Sequence, residues 1–173
     1  ASFNAACAWR EHAEQQPLEF IDRQLFPHLV HSLKVLGELL RADPTDLALL
    51  PNATSALNVA IAAACEASQL GAGDEVLLLD VGYGSVRKMA ARECTQRGGA
   101  RLITVPLLSG LPLSSEPETV LETLERHMSS RTRVAVFDHI TSNTALRLPV
   151  EAMTQLCADR SVLSVVDGAH ALG

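Results

Sequence analysis

The sequence predicts an α/β domain in which a mostly parallel sheet lies between two layers of helices, a three-layer sandwich. Hydrophobic residues make up 47% of the 173 residues but aromatic residues only 3%, so the core must consist of Leu, Val, Ile and Ala. The apolar runs are short and nearly continuous, which is typical of parallel strands that are buried on both faces. These runs alternate with segments of helical periodicity, the βαβ pattern of a doubly wound sheet.

The first 45 residues are predicted to form an N-terminal helical arm. Within residues 17–42, Pro17 suits a first helical turn, and Pro27 should kink or split the helix. Leucines recur there at helical spacing, at Leu29, Leu33, Leu36 and Leu40. Residues 46–173 then form the large domain, and no linker is visible inside it.

Strands and helices alternate through the large domain. The apolar runs predict five strands, at 47–51, 75–80, 101–107, 133–140 and 162–167. The helical patterns predict four helices, at 52–68, 84–97, 116–128 and 149–159. Asn52 or Thr54 is suited to cap the first of these helices. A loop rich in Ser, Pro and Gly separates the third strand from the helix at 116–128.

Charge and cysteine content restrict the class of protein. Fourteen basic and twenty acidic residues give a net charge of −6 without a basic cluster, which argues against nucleic acid and anionic membranes as partners. The apolar runs are shorter than a membrane span, and no signal-peptide pattern opens the sequence. The four cysteines are scattered without a C-x-x-C pair, which favours free thiols and a cytoplasmic location. We assign no metal site.

Ligands of such sheets bind at the carboxyl ends of the strands, and four of the five predicted strand ends are polar. Thr54 and Ser55 open a helix directly after a strand, where free N–H groups favour a phosphate. The alternative is that Thr54 only caps the helix. Because no G-x-G-x-x-G or P-loop pattern is present, a dinucleotide or nucleoside triphosphate site is poorly supported.

Two other strand ends carry residues with a possible ligand role. Asp167 follows an apolar strand and could be the counter-ion of a protonated ring nitrogen, or a helix cap or the partner of an arginine. His170 follows three residues later and is weaker evidence by itself. Tyr83 lies between Gly82 and Gly84, where its ring could stack on a flat ligand or could simply fill a loop. The combination of phosphate cradle, stacking ring and buried acid at one edge favours the ligand role.

Four segments in order resemble the large domain of class V aminotransferase-like enzymes, which depend on pyridoxal 5′-phosphate (PLP) and share the fold-type-I architecture. They are N-A-T-S at 52–55, D-V-G-Y-G-S-V at 80–86, D-H-I-T-S-N-T-A-L-R-L-P at 138–149 and V-V-D-G-A-H-A-L-G at 165–173. Among these enzymes, the sequence is most similar to the isopenicillin N epimerase-like branch, which includes hercynylcysteine sulfoxide lyase-type C–S lyases. The cysteine desulfurases are more distant relatives.

The resemblance implies a role for each motif residue. Thr54, with Ala53 and Ser55, would hold the PLP phosphate, and Tyr83 would stack on the pyridine ring. Ser142, with Asn143 or Thr144 nearby, would lie close to the phenolic oxygen of that ring. Asp167 would pair with the pyridinium nitrogen, and His170 would approach the phenolate oxygen or the substrate. Asp167 and His170 are thus the candidate catalytic residues.

The sequence also departs from the family pattern. The opening Ala1-Ser2-Phe3-Asn4-Ala5 lacks the glycine-rich start usual in the branch, and desulfurases stack a histidine where Tyr83 stands. In the family the Schiff-base lysine lies downstream of the D-G-x-H segment, and neither Lys34 nor Lys88 follows a strand. We therefore expect this chain to be the N-terminal part of a longer enzyme, without the last strands and the small domain, and inactive by itself.

The resemblance implies a PLP-dependent enzyme that acts on an amino acid, of the C–S lyase, epimerase or aminotransferase type. The full-length enzyme would be a homodimer. The alternative is a non-catalytic remnant that binds a phosphorylated ligand or a partner subunit.

Overall fold

The structure is a computed structural model that describes residues 1–108 and 116–172. The chain divides into two compact units, Ala1–Leu49 and Leu50–Gly173. The predicted loop rich in Ser, Pro and Gly falls mostly on residues 109–115, which lie outside the described residues. Within the described ranges, no helix is both long enough and apolar enough to cross a membrane.

The first unit is helical. Helix α1 spans Ser2–Gln15, the short helix α2 spans Pro17–Glu19, a π-helix follows at Phe20–Gln24, and helix α3 spans Leu25–Leu40. The expected split at Pro27 takes the form of this π-helix, which ends three residues before that proline. Proline has no N–H to donate to the carbonyl four residues earlier. The helix accommodates this interruption with a hydrogen bond from the Leu25 N–H to the Phe20 carbonyl, which spans five residues instead of four.

The strand predicted at 47–51 is wrong. Residues 47–50 have no regular secondary structure, and Leu49 is 50% exposed. A short apolar run forms a strand only where another strand offers its free N–H and carbonyl groups, and no strand of the described residues pairs with this run. The segment instead follows a short 3₁₀ turn at Pro44–Asp46, which begins where the Asp43 carboxylate accepts the N–H of Thr45.

The second unit contains the sheet, and here the other four predicted strands are confirmed. They are β1 (Glu75–Leu79), β2 (Arg101–Val105), β3 (Thr132–Asp138) and β4 (Leu163–Asp167). All pairings are parallel, in the order β2-β1-β3-β4. Every residue of β1 is buried, as expected for an inner strand that is covered on both faces.

Helices cover both faces of this sheet. The predicted helices are confirmed as α4 (Ala53–Ala67), α5 (Gly84–Gln96), α6 (Pro117–His127) and α7 (Val150–Asp159). Val76 and Leu78 of β1 pack with residues of α4 and α5, whereas Leu77 and Leu79 pack with residues of α6 and α7. Since side chains alternate between the faces of a strand, these two apolar clusters confirm the three-layer α/β sandwich.

Candidate active site

Helix α4 begins with a polar turn at the carboxyl edge of the sheet. The Asn52 side-chain oxygen accepts the Ser55 N–H at 2.8 Å, so Asn52 and not Thr54 is the cap. The first N–H groups of a helix have no partner inside it, and those of Ala53 and Thr54 stay available to a ligand. The exposed Thr54 hydroxyl lies at the same turn. The start of α4 can therefore bind an anion.

A cavity of about 260 Å³ joins this turn to the ends of β3 and β4. It is lined by six of the sequence-predicted residues: Ala53, Thr54, Tyr83, Ser142, Asp167 and His170. Ser55 borders the adjoining groove between α4 and α5, which also contains Lys88 and Arg92. Asn143 and Thr144 do not line the cavity, and the Thr144 hydroxyl is 2.6 Å from that of the buried Thr141.

Tyr83 lies at the cap position of α5, directly after β1 and its turn. Its side chain is half exposed beside the cavity. A Cβ atom built on Gly84 would meet no atom within 4 Å, whereas one on Gly82 would lie 3.2 Å from the Leu79 carbonyl oxygen. The turn is therefore tight at Gly82, and the space at Gly84 leaves a flat ligand room to approach the main chain.

Asp167 ends β4 and is partly buried at the cavity. Its carboxylate accepts the Ala169 N–H at 3.0 Å, which turns the chain so that His170 also lines the cavity. In the described part of the chain, Asp167 forms no ion pair with an arginine or lysine. A helix cap or an ion pair with an arginine would occupy the Asp167 carboxylate. The counter-ion role leaves that carboxylate available to a ligand.

A second carboxylate, Asp138, lines the cavity beside Asp167. Asp138 is 4% exposed, and it ends β3 in register with Asp167 of β4. Burial, followed by the nearby charge of Asp167, raises the pKa of Asp138 to about 6, although His170 and a backbone hydrogen bond from Tyr83 act in the opposite direction. Acids at the ends of two predicted strands were visible in the sequence, but strand register was needed to pair them.

Four other lining residues received no role in the sequence prediction: Leu57, Ser85, Ile140 and Ala169. Ser85 was the one with a detectable signal, because it opens α5 after a strand as Thr54 opens α4. Leu57 is buried and Ile140 is partly buried, so they supply apolar walls. The cavity thus offers N–H and hydroxyl donors, an aromatic ring, apolar walls and two carboxylates. This donor set fits a flat ligand with an anionic group and a cationic group.

Comparison with known proteins supplies the family. The sequence model of the aminotransferase class-V family matches residues 33–173. The chain is 37% identical to isopenicillin N epimerase from Amycolatopsis lactamdurans, over 91% of this chain and 38% of that protein. It is 29% identical to putative L-cysteine desulfhydrase 1 from Oryza sativa subsp. japonica, over 98% of this chain and 37% of that protein.

The fold also matches solved structures. One is a C-DES variant in which glycine is covalently linked to the PLP cofactor. It superposes with a TM-score of 0.82 at 20% identity and covers 98% of this chain and 43% of that one. The chain spans about two fifths of the length of the curated relatives described here. Because the family match covers most of the sequence, the chain belongs to the aminotransferase class-V family.

Proposed function

We propose that this chain provides part of the cofactor site of a PLP-dependent enzyme that acts on an amino acid. Family membership supports the cofactor and the substrate class. Relatives include an epimerase and a cysteine desulfhydrase, so the reaction is of the epimerase, C–S lyase or aminotransferase type. By the same resemblance, the full-length enzyme is proposed to be a homodimer that completes the site.

The cavity supports the proposal because its donors match the parts of PLP. The start of α4, with Thr54, would bind the phosphate through N–H and hydroxyl groups. The half-exposed ring of Tyr83 would stack on the pyridine ring. Ser142 would donate to the phenolic oxygen from the segment after β3. Ser55, Asn143 and Thr144 lie outside the cavity lining, and a direct contact from them is not part of the proposal.

Asp167 and His170 would carry the chemistry that this chain contributes. PLP, when bound, supplies an electron sink for bonds to the substrate α-carbon. The Asp167 carboxylate would keep a proton on the ring nitrogen, because an opposite charge nearby favours the charged form of that nitrogen. His170 lines the same cavity and would hold or move a proton at the phenolic oxygen or at the substrate. The observation that carries the proposal is the meeting of the α4 turn, Tyr83 and Asp167 in one cavity.

PLP binding by the full-length protein that contains this chain tests the proposal. Titration followed by the absorbance of PLP should show saturable binding, and inorganic phosphate should compete. Tyr83→Ala should weaken binding about tenfold, on the scale of 1–3 kcal/mol for aromatic stacking, whereas Tyr83→Phe should retain most of the affinity. The exposed acid Glu122 on α6 offers a control, because Glu122→Gln should have no effect. Binding of phosphate without binding of PLP would favour the alternative of a non-catalytic remnant.

A further inference from the structure

Two carboxylates lie side by side at the carboxyl edge of the sheet. Asp138 and Asp167 are in-register partners on the neighbouring parallel strands β3 and β4. Val136 and Val165, each two residues earlier, pack with residues of α4 and α5. Since side chains alternate along a strand, both aspartates face the α4 and α5 layer, where the cavity lies.

The two carboxylates have different surroundings. Asp167 is partly buried and is bound by the Ala169 N–H, whereas Asp138 is nine-tenths buried or more, with 4% of its surface exposed. The main chain of Tyr83, in the connection between β1 and α5, lies close enough to Asp138 to lower its pKa. Both acids therefore face the ligand space, and Asp138 is the more deeply buried of the two.

Within the described ranges, the cavity lining brings no lysine or arginine to this pair. Among the described residues that line the cavity, Asp167 and His170 on β4 and its continuation are the titratable groups facing Asp138, together with the Tyr83 phenol. The start of α4 contributes Thr54 and no charged side chain. Within the described ranges, no group of His, Cys, Asp or Glu side chains is arranged to hold a metal ion. His170 lowers the pKa of Asp138 and is thus one partner of the two adjacent acids, and a cationic group of the ligand would be a second.

We propose that Asp138 is a positioning residue of the PLP site: it lies beside the main chain of Tyr83 and adds a second negative charge behind Asp167, so that the site favours a protonated ring nitrogen. This inference rests on the proposed function. It concerns a residue that acts through Asp167 and Tyr83 and needs no direct contact with the cofactor.

The burial of Asp138 makes its expected effect on ligand binding depend on pH. Because burial and Asp167 raise the pKa of Asp138 to about 6, its charge is present above that pH and is lost below it. A cation near the pair favours the ionised form of Asp138. The contribution of Asp138 to the binding of a ring cation should therefore be large above pH 6 and should vanish below about pH 5.

The test compares wild type with Asp138→Asn in the full-length protein. Asn has nearly the same size and shape as Asp, so this variant removes the charge and keeps the packing at the end of β3. The probe is 4′-deoxypyridoxine 5′-phosphate, which has the ring nitrogen and the phosphate but no aldehyde, and its dissociation constant is measured between pH 5 and pH 8.5. The ratio of the two dissociation constants cancels the titration of the ligand itself.

We expect Asp138→Asn to weaken binding roughly fivefold to tenfold at pH 8, as for one screened charge near the ring, and the ratio to approach one at pH 5. Benzyl phosphate, which has no ring nitrogen, should bind both proteins equally. The matched control is Asp80→Asn, because Asp80 also follows a strand at this edge but binds the N–H groups of Leu107 and Leu108.

Equal affinity of wild type and Asp138→Asn for the probe at pH 8 would overturn the inference and leave the proposed function standing. Failure of wild type to bind the probe or PLP would overturn both. A second measurement does not depend on the variant folding: the Asp138 carboxyl is titrated by NMR in wild type. Its pKa should fall when the probe binds, and an unchanged or higher pKa would contradict the inference.

Discussion

The sheet buries one acid at its amino end and another at its carboxyl end, and their surroundings shift the two pKa values in opposite directions. Glu75 opens β1 with 3% of its surface exposed, and Asp138 ends β3 with 4% exposed. Burial by itself would raise the pKa of Glu75, but hydrogen bonds from Ser129 and Arg101 outweigh it and the pKa is lowered. The pKa of Asp138 is raised to about 6, by burial and by the charge of Asp167.

The difference lies in what the neighbouring strands bring. Arg101 and Thr132 are the register partners of Glu75 on β2 and β3, the Ser129 hydroxyl donates to Glu75 at 2.6 Å, and Arg131 lies 3.6 Å away. Asp138 has another acid as its register partner. The hydrogen bonds of Glu75 compensate for its burial and favour its charged form, whereas an acid placed against a second acid in a cavity is a candidate for ligand binding.

The largest effect expected from this comparison is a gain of stability when Asp138 is replaced in the protein without PLP. A carboxyl whose pKa is about 6 when folded and about 3.9 when unfolded destabilises the folded protein once it is ionised. Asp138→Asn should therefore raise the free energy of unfolding by about 3 kcal/mol at pH 7. Urea unfolding of wild type and variant measures this difference.

The sign of the pH dependence identifies the cause. The gain should be absent below about pH 4, should grow as the pH rises to 6 and should then stay constant, because Asp138 ionises in the unfolded chain first. A stability loss at pH 7 would show that Asp138 is a structural acid of the same kind as Glu75. Asp80→Asn is again the control for an acid at the same edge.

At the amino end the same kind of substitution should have the opposite effect. Glu75→Gln replaces charge-assisted hydrogen bonds from Arg101 and Ser129 by weaker neutral ones, which should cost about 2 kcal/mol at pH 7. Because the pKa of Glu75 is lowered, the cost should be present above the usual Glu range and should be lost as the pH falls through the folded pKa. Urea unfolding at pH 7 and pH 3, with Glu122→Gln as the exposed control, would show it. An unchanged midpoint at pH 7 would contradict the comparison.

Much of this fold could be predicted because helix and strand periodicities differ clearly along the second unit. The four apolar residues of β1, at 76–79, are all buried, and so are Val134, Ala135, Val136 and Phe137 of β3. Strand β4 has a similar apolar run, although none of its residues is fully buried. The strand prediction at 47–51 was wrong because apolar character is shared by strands and by extended segments without a partner strand. Whether a partner strand exists is a property of the tertiary structure, and it was not available from the local pattern.

The site was predictable to the extent that it depends on strand ends. Tyr83 and Asp167 follow strands, and the shared edge of a parallel sheet brings them to one cavity. The position of Thr144 could not be predicted. Its hydroxyl lies against that of Thr141, and nothing in the local sequence distinguishes Thr144 from Ser142. Asp138 lies in one of the motif segments but received no role of its own for a related reason: its importance depends on register with Asp167, and register is set by long-range pairing.

The smallest expected effect concerns the N-terminal end of α4, which lies at the same edge of the sheet. Substitutions of Asn52 there separate helix stability from anion binding. Asn52→Ala removes the oxygen that accepts the Ser55 N–H and should cost about 1 kcal/mol of unfolding free energy. Asn52→Asp keeps an acceptor and adds a negative charge at the helix start, which should stabilise the protein by about 0.5 kcal/mol.

The same charge repels a phosphate, so Asn52→Asp should weaken the binding of inorganic phosphate and of PLP alike, by roughly threefold to fivefold on the scale of one screened charge. Asn52→Ala should affect their binding less. Urea unfolding and phosphate titration of both variants measure the two effects. If Asn52→Asp binds phosphate as tightly as wild type, the start of α4 is not the anion-binding end, and the cavity would hold its ligand through the two acids alone.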